Sequence, residues 1–261
     1  MNIPYINLVA QWKKEKNSLI KIFKNISSKG TYVDPDSNEI KNFEKNIQKI
    51  CQTKYAVSLN SGTDALTLGL CLLGVRRGDE VITPPNSFIS STSAITHIGA
   101  KPVFADVLND QNIDPNQIEK VITKKTKAIM PVHLTGRISE MREILSISKK
   151  HNIPIIEDAA QSIGSKYYNK ASGSFGKIGC FSTHPLKNLN AIGDGGILTT
   201  NDNRLYKAAK SMRNHGLENR NIVKKFGYLS RMDVLQAAVL NYRIKNLKSV
   251  INTRRNNAKF Y

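Results

Sequence analysis

A lysine in a polar, glycine-flanked segment is the first candidate for chemistry. Lys187 lies in residues 180–189 (CFSTHPLKNL), and a Gly-Asp-Gly-Gly run follows at residues 193–196. Burial and neighbouring cations lower the pKa of a lysine, and the free amine so produced can attack an aldehyde. Most single lysines are surface groups in contact with water, so this segment alone leaves both interpretations open.

A second candidate segment, residues 60–66 (NSGTDAL), lies between a predicted strand and a predicted apolar helix. Gly62 lets the backbone approach a ligand, and Thr63 supplies a hydroxyl. The start of the helix adds unpaired N–H groups and the positive end of its dipole, which suit a phosphate. Taken alone, a Ser or Thr helix cap explains these residues better.

A third candidate, residues 157–161 (EDAAQ), follows an apolar strand. A carboxylate here lies at the carboxyl edge of the sheet, where Asp158 can contact a cationic atom of a ligand. An Asp that caps a following helix is equally compatible with the pattern. Counted together, the three segments supply a phosphate cradle at Gly62-Thr63, an acid for a pyridinium nitrogen at Asp158 and an aldehyde-binding amine at Lys187. Those are the parts that a pyridoxal-phosphate (PLP) site needs.

The elements that must position these residues alternate between strand and helix. Helices are predicted over residues 8–28, 37–51, 63–73, 87–97, 139–150, 202–213 and 232–250, with a further helix opening at Asp114-Pro115. Strands are predicted over residues 55–59, 80–83, 101–105, 128–132 and 153–156. This order predicts an α/β domain with a mostly parallel central sheet and helices on both faces. Ligands of such sheets bind beyond the carboxyl ends of the strands, which directs attention to loops 60–63, 84–88, 131–137, 157–164 and 182–196.

Composition excludes several classes of protein. The 261 residues are enough to bury a core, and 40% hydrophobic with 23% charged residues is ordinary for a globular chain. No run approaches 18 uncharged apolar residues, so a membrane span is not expected, and residues 1–4 (MNIP) do not begin a secretory signal. The three cysteines form no C-x-x-C pair, which is typical of buried free thiols in a reducing compartment. We therefore expect a cytoplasmic protein.

The charge balance raises a different hypothesis. The chain has 39 Lys and Arg against 20 Asp and Glu, a net charge of +19, which would suit a nucleic-acid partner. The lysines are scattered, however, and no basic stripe interleaved with aromatic residues occurs, so a solvated surface explains them better than nucleic-acid binding does. The charge also suits steering of an anionic small substrate. The five histidines lack metal-ligand spacing, so no metal site is predicted.

Several motifs in register resemble a known family, the DegT/DnrJ/EryC1/StrS group of sugar aminotransferases, a branch of the fold-type I PLP enzymes. The resemblance covers nearly all of residues 3–261. It rests on residues 61–66 (SGTDAL), 78–82 (GDEVI), 131–134 (PVHL), 156–161 (IEDAAQ), 185–189 (PLKNL), 193–196 (GDGG), 213–216 (RNHG), 230–233 (SRMD) and 235–238 (LQAA).

This resemblance implies a fold-type I large domain and a homodimer with shared active sites. It divides the chain into an N-terminal helical arm over residues 1–30, a PLP-binding large domain over 31–240, and the start of a small C-terminal domain over 241–261. Family members normally continue into a complete small domain that closes over the site. We therefore expect most of that domain to be missing from this chain.

The resemblance also implies a role for each matching residue. Lys187 would bind the cofactor covalently and shuttle the proton, and Asp158 would keep the pyridine nitrogen protonated. Gln161 would meet the ring hydroxyl, and Phe88 would lie against the ring face. The full set of implied cofactor contacts is Gly62, Thr63, Asp64, Phe88, Asp158, Gln161, Ser182 and Lys187.

The implied reaction moves an amino group from an amino acid, usually glutamate, to a keto-sugar attached to a nucleotide, for a surface polysaccharide or glycan. Two positions depart from the family pattern. Leu229 stands where an Asn commonly reaches the neighbouring subunit's phosphate, and His184 stands where many members have Tyr or Phe. The alternative is a truncated, non-catalytic or regulatory relative that keeps only the large domain; Leu229 and the missing small domain favour it.

Overall fold

The computed structural model describes residues 6–260. Its helices are α1 (Leu8–Lys29), α2 (Asn38–Cys51), α3 (Gly62–Leu72), α4 (Ser90–His97), α5 (Pro115–Ile118), α6 (Met141–His151), α7 (Asn203–Met212), α8 (Val234–Ile244) and α9 (Leu247–Phe260). Its strands are β1 (Tyr55–Leu59), β2 (Glu80–Thr83), β3 (Lys101–Phe104), β4 (Thr126–Ile129), β5 (Ile156–Asp158), β6 (Lys166–Tyr167), β7 (Lys170–Ala171), β8 (Ile178–Ser182), β9 (Gly196–Thr200), β10 (Leu217–Asn219) and β11 (Ile222–Val223).

The central sheet has the strand order β3-β2-β4-β5-β8-β9-β1. Two hydrogen-bonded groups of strands, β3-β2-β4 and β5-β8-β9-β1, are joined by parallel bridges between Ile129 and Ile155 and between Val132 and Asp158. Strand β9 is antiparallel to both of its neighbours, and the other pairings are parallel. The predicted mostly parallel α/β sheet is therefore confirmed.

Alternation along the strands builds a core on each face of this sheet. Leu198 and Cys180 pack with α3, α4 and α7 on one face, whereas their neighbours Ile197 and Phe181 pack with α1, α2 and α8 on the other. A third cluster, around Ile129, covers the α5 and α6 end of that second face. Successive strand residues point to opposite faces, so apolar runs such as residues 178–181 can be buried on both sides.

Most predicted elements are present, although several of their boundaries are shifted; the strand predicted over residues 128–132, for example, is found at β4, residues 126–129. The helix predicted over residues 232–250 is broken into α8 and α9, because the N–H groups of Lys245 and Asn246 bond to carbonyls three residues back and end the first helix. The strand predicted over 153–156 is found at β5 instead. Pro154 has no N–H to donate to a ladder, and Ile155 forms only a single bridge. Strands β8 and β9 lie outside the predicted elements.

The described part of the predicted arm contains α1, which packs against α8. Residues 1–5, which include the segment MNIP considered for a secretory signal, lie outside the described residues, as does residue 261. Ile26 of α1 and Leu247 of α9 share one core cluster with α2, and α8 runs across residue 240. The division into an arm, a large domain and a small domain stays a prediction.

Within residues 6–260, the helices are all too short or too polar to span a bilayer. The three cysteines are free thiols; Cys51 and Cys180 are buried, whereas Cys71 is only half-buried.

Candidate functional site

The predicted site residues come together at one edge of the sheet. Strands β1, β2, β5 and β8 end at this edge, and β9, which runs in the opposite direction, begins there. The loops form a cavity of about 270 Å³ lined by Ser61, Gly62, Thr63, Leu66, Ser87, Phe88, Ser90, Asp158, Ala160, Gln161, Ser182, His184, Leu186, Lys187 and Asp194. Of the predicted cofactor contacts, only Asp64 is absent from this lining.

One end of the cavity is formed by the first turn of α3. Ser61 is its N-cap: the side-chain oxygen accepts from the Asp64 N–H at 3.0 Å, and the carbonyl accepts from the Ala65 N–H. The first four N–H groups of a helix lack partners within the helix. Since Ser61 satisfies those of Asp64 and Ala65, the N–H groups of Gly62 and Thr63 remain for a ligand. The capping and phosphate-binding interpretations are thus compatible, on different residues.

Gly62 brings this turn against the end of β8. A Cβ atom at residue 62 would lie 2.7 Å from the Cβ of Ser182, so a larger residue would push the two segments apart. The Thr63 hydroxyl donates to Ser90 Oγ at 2.9 Å, which places a further hydroxyl beside it. This end of the cavity therefore gathers backbone N–H groups and hydroxyls, which are donors suited to an anion.

Asp158, the last residue of β5, lines the cavity with only 5% of its surface exposed. Ser91 donates to its Oδ2 at 2.6 Å, and the Ala160 N–H donates to its Oδ1 at 3.2 Å. Burial raises the pKa of this carboxyl above its usual value, and the hydrogen bond from Ser91 opposes the rise. The residues directly after β5 form turns, and the next helix along the chain is α7, so the N-cap interpretation of Asp158 is wrong.

The adjacent carboxylate, Glu157, faces away from the cavity and is fully buried. It accepts from the N–H groups of Gly173, Phe175 and Gly176 at 2.7 Å each, and from His133 Nε2 at 3.0 Å. Its oxygens are therefore committed to holding loop 173–176 on the sheet. Among the described residues, no three His, Cys, Asp or Glu side chains are placed to hold a metal ion.

Lys187 reaches the cavity from the loop that joins β8 to β9. Its backbone N–H donates to the His184 carbonyl at 2.8 Å. Burial lowers the pKa of the Lys187 amine, while the negative charge of Asp158 raises it; the burial effect is the larger. A lysine with a lowered pKa carries more free amine at neutral pH, which is the form that attacks carbonyl carbon.

We predict that Lys187 reacts as a free amine at lower pH than a surface lysine. In the protein without cofactor, trace acetylation followed by peptide mass spectrometry should give half-maximal labelling of Lys187 at a lower pH than that of a lysine in a short unstructured peptide. An Asp158→Asn variant should move that midpoint lower still, because the carboxylate favours the charged amine. A Lys187 midpoint at or above that of the peptide lysine would contradict the assigned burial.

The remaining predicted contacts are placed as follows. Gln161 Oε1 accepts from the Thr135 N–H at 2.9 Å, which leaves its NH₂ group free to face a ligand. Phe88 lies on the cavity wall with 68% of its surface exposed. The Asp64 side chain accepts from Ser230 Oγ at 2.7 Å, so it ties the 230–233 segment to α3 and does not line the cavity. Leu229 is exposed and pairs through its backbone with Asn214.

Sequence reasoning missed four polar groups of the site: Ser87, Ser90, Ser91 and Asp194. The first three lie at or just before the start of α4, and Ser87 and Ser91 are 2.6 Å apart. Asp194 lines the cavity from the segment just before β9. The available signal for Asp194 is the Gly-Asp-Gly-Gly run at residues 193–196, where it is the one polar side chain among glycines.

The model of the DegT/DnrJ/EryC1/StrS aminotransferase family matches residues 13–261. The chain belongs to this family. Its fold agrees with that assignment, because solved structures of family aminotransferases superpose closely on it.

Comparison with individual relatives shows how similar the chain is to them in sequence and in structure. The chain is 37% identical to a pleiotropic regulatory protein of Geobacillus stearothermophilus, over 100% of this chain and 70% of the relative. It is 37% identical to the UDP-N-acetyl-3-dehydro-alpha-D-glucosamine 3-aminotransferase of Acidithiobacillus ferrooxidans, over 99% and 70%. The structure of NtdA from Bacillus subtilis with the bound cofactor PMP is 33% identical, with a TM-score of 0.87, over 94% of this chain and 56% of NtdA.

Proposed function

We propose that this chain is a PLP-dependent aminotransferase. It moves an amino group from an amino acid, for which glutamate is the proposed donor, to a nucleotide-linked keto-sugar. One observation carries the proposal: Asp158 and Lys187 line the same cavity as Gly62 and Thr63, which form the first turn of α3. The named activities of curated relatives, such as the 3-aminotransferase of Acidithiobacillus ferrooxidans, support the class of substrate.

The residues present fit the cofactor at each of its three functional groups. The donors of Gly62 and Thr63 suit the phosphate, and Gly62 leaves the space that a Cβ would fill. The buried carboxyl of Asp158 has a raised pKa, and a cationic ring nitrogen beside it would favour its charged form. The amine of Lys187 suits the aldehyde. PMP, bound in the NtdA structure, is the amine form of the same cofactor.

When bound, PLP supplies an electron sink that stabilises negative charge on the donor carbon. The chain's own residues do the rest. Lys187 would hold the cofactor and then carry a proton at its Nζ, a task for which a lowered pKa is suited. Asp158, oriented by Ser91, would keep the ring nitrogen protonated, and the NH₂ group of Gln161 would be the donor for the ring hydroxyl.

We further propose that the active unit is a homodimer whose cavities are completed by the partner subunit, with residues 31–240 as the PLP-binding domain. Two apolar side chains that line the cavity, Phe88 and Leu186, are each more than 40% exposed, as is Ile89, the residue after Phe88. Clusters of this kind usually mark contact surfaces. The net charge of +19 would steer an anionic nucleotide-sugar toward the protein.

The experiment begins with cofactor-free protein, to which PLP is added. A visible absorption band should appear, and borohydride reduction followed by peptide mapping should place the adduct on Lys187. Glutamate should then bleach the band, and nucleotide-linked 3-keto and 4-keto sugars should restore it. An adduct elsewhere, or none, would overturn the proposal; a stable band with no transfer would favour the non-catalytic alternative.

We predict that Gly62→Ala weakens PLP binding roughly tenfold or more, because the added methyl displaces the first turn of α3 from Ser182. Gly69→Ala is the matched control. It lies in the same helix, and its Cβ would press on Ile156 in the core at 2.6 Å. The control should lower the melting temperature while leaving PLP affinity, measured by fluorescence titration, near that of the wild type. Equal PLP affinities for Gly62→Ala and the wild type would contradict the proposal that the first turn of α3 binds the phosphate of PLP.

A further inference from the structure

The loop that carries Lys187 is closed at its base by backbone and side-chain bonds. We call residues 183–191 the lysine loop. The Ala191 N–H donates to the Thr183 carbonyl at 2.7 Å, and Asn190 Nδ2 donates to the Pro185 carbonyl at 2.9 Å. Leu189 is buried in the core. The loop is thus a closed unit whose free part projects Lys187 into the cavity.

A buried arginine from a distant part of the chain donates hydrogen bonds to one side of the lysine loop. Arg243, on α8, has only 9% of its surface exposed, and its Nη1 donates to the carbonyls of Asn190 and Ala191 at 2.8 and 3.0 Å. Both carbonyls belong to the end of the loop that returns to the core. They lie three and four residues after Lys187 in the chain.

Glu15, on α1, fixes the other side of the same guanidinium. Its Oε2 accepts from Arg243 Nε at 3.1 Å and from Nη2 at 2.7 Å. The carboxylate neutralises a charge that would otherwise be costly to bury. The planar fork of arginine can serve a carboxylate on one edge and two carbonyls at one tip, a geometry that the ammonium of lysine does not reproduce. Helices α1 and α8 are thereby joined to the lysine loop.

We infer that Arg243 is a positioning residue for Lys187, with Glu15 holding the arginine in place. This inference rests on the proposed function, because it concerns where the reacting amine is held. Arg243 does not line the cavity and touches no reacting group. It acts through the loop backbone, so its removal lets the loop move and takes the amine out of alignment. Misplacement by about 1 Å can cost a reaction on the order of 100-fold.

The test uses Arg243→Met, Arg243→Lys and Glu15→Gln in the full chain. In cofactor-free protein, hydrogen exchange at the amides of Lys187 and Ala191 should quicken by roughly tenfold or more in Arg243→Met, since charged hydrogen bonds are lost. The rate of covalent attachment of PLP to Lys187, measured from the growth of the visible absorption band, should fall by a similar factor. Arg243→Lys and Glu15→Gln should show smaller changes in the same direction. In turnover, kcat should fall with little change in KM for the keto-sugar.

Arg213→Met is the matched control. Arg213 is fully buried and paired with Glu44 at 2.6 Å, like Arg243 in character, but it contacts Ser58 and not the lysine loop. It should lower the melting temperature without quickening exchange at Lys187 and Ala191. If the Arg243 variants lower stability in the same manner and leave exchange and attachment rates unchanged, the inference is overturned.

The two hypotheses fail separately. Wild-type protein that never attaches PLP would end the proposed function, whereas the exchange measurement would still decide whether Arg243 holds the loop. If Arg243→Met does not fold, Arg243→Lys and Glu15→Gln carry the test: wild-type exchange and attachment rates in both would refute the positioning role.

Discussion

Lys187→Ala is expected to abolish covalent attachment of PLP and to reduce amino transfer by roughly 10²–10⁴-fold or more. The variant removes both the nucleophile and the proton carrier, and proton transfer by a positioned side chain alone is typically worth that factor. The loss is measured as the disappearance of the borohydride-stable label and as the rate of amino-sugar formation. Because Lys187 is a half-buried loop side chain, the fold should survive, which circular dichroism and the melting temperature would show.

Lys177→Ala is the matched control for that experiment. Lys177 is exposed and lies just before β8, the strand that leads to the lysine loop. Its removal should leave the label and the rate unchanged. Full transfer activity in Lys187→Ala would remove Lys187 from the reaction and place the amine elsewhere in the cavity.

Asp158→Asn is expected to weaken PLP binding by roughly 10²-fold or more and to slow transfer at least as strongly. The amide can keep the hydrogen bond to Ser91 but carries no charge, so a buried cationic ring nitrogen loses its partner. Breaking a buried ion pair in this way costs about 3–5 kcal/mol. The pyridine nitrogen would lose its proton more readily, and the change is measured by fluorescence titration and by the pH dependence of the visible band.

Glu157, the residue before Asp158, provides the matched control for Asp158→Asn. Glu157→Gln alters the adjacent residue, whose oxygens accept from three backbone N–H groups and from His133. We expect this variant to lower the melting temperature by several degrees while leaving PLP affinity within about threefold of the wild type. An equal loss of affinity in both variants would show that Asp158 acts through stability and not through the ring nitrogen.

The sheet could be predicted from the sequence, as could the position of Lys187 and Asp158 in loops at its edge, because each of these features produces a local signal. Amphipathic spacing predicted α2, an apolar run predicted β1, and a polar segment after an apolar strand placed Asp158 at the sheet edge. Strands β8 and β9 were missed. Each is a short apolar run that contains or starts at glycine, and glycine weakens the strand signal of a run because it has no side chain to pack.

Contacts made by residues far apart in the chain gave no such signal. Ser91 meets Asp158 across 67 positions of sequence, and Arg243 meets Glu15 across 228. Asp64 is predicted as a cofactor contact from its place in a motif, but one of its carboxylate oxygens accepts from Ser230 and the residue does not line the cavity. Which side of a helix turn faces the ligand depends on tertiary packing, and a motif read along the chain does not contain that information.

The reversed direction of β9 has a consequence for how this kind of protein diversifies. Because β8 ends and β9 begins at the same edge, residues 183–195 leave the sheet and return to it without a crossover helix. Both ends of this segment are pinned, so lengthening it costs only a slowly growing loop-closure entropy, about 0.6 kcal/mol per doubling. Insertions after the lysine loop, at residues 192–195, can reshape the wall around an incoming sugar while the strands beneath keep their register and the lysine loop keeps its closing hydrogen bonds.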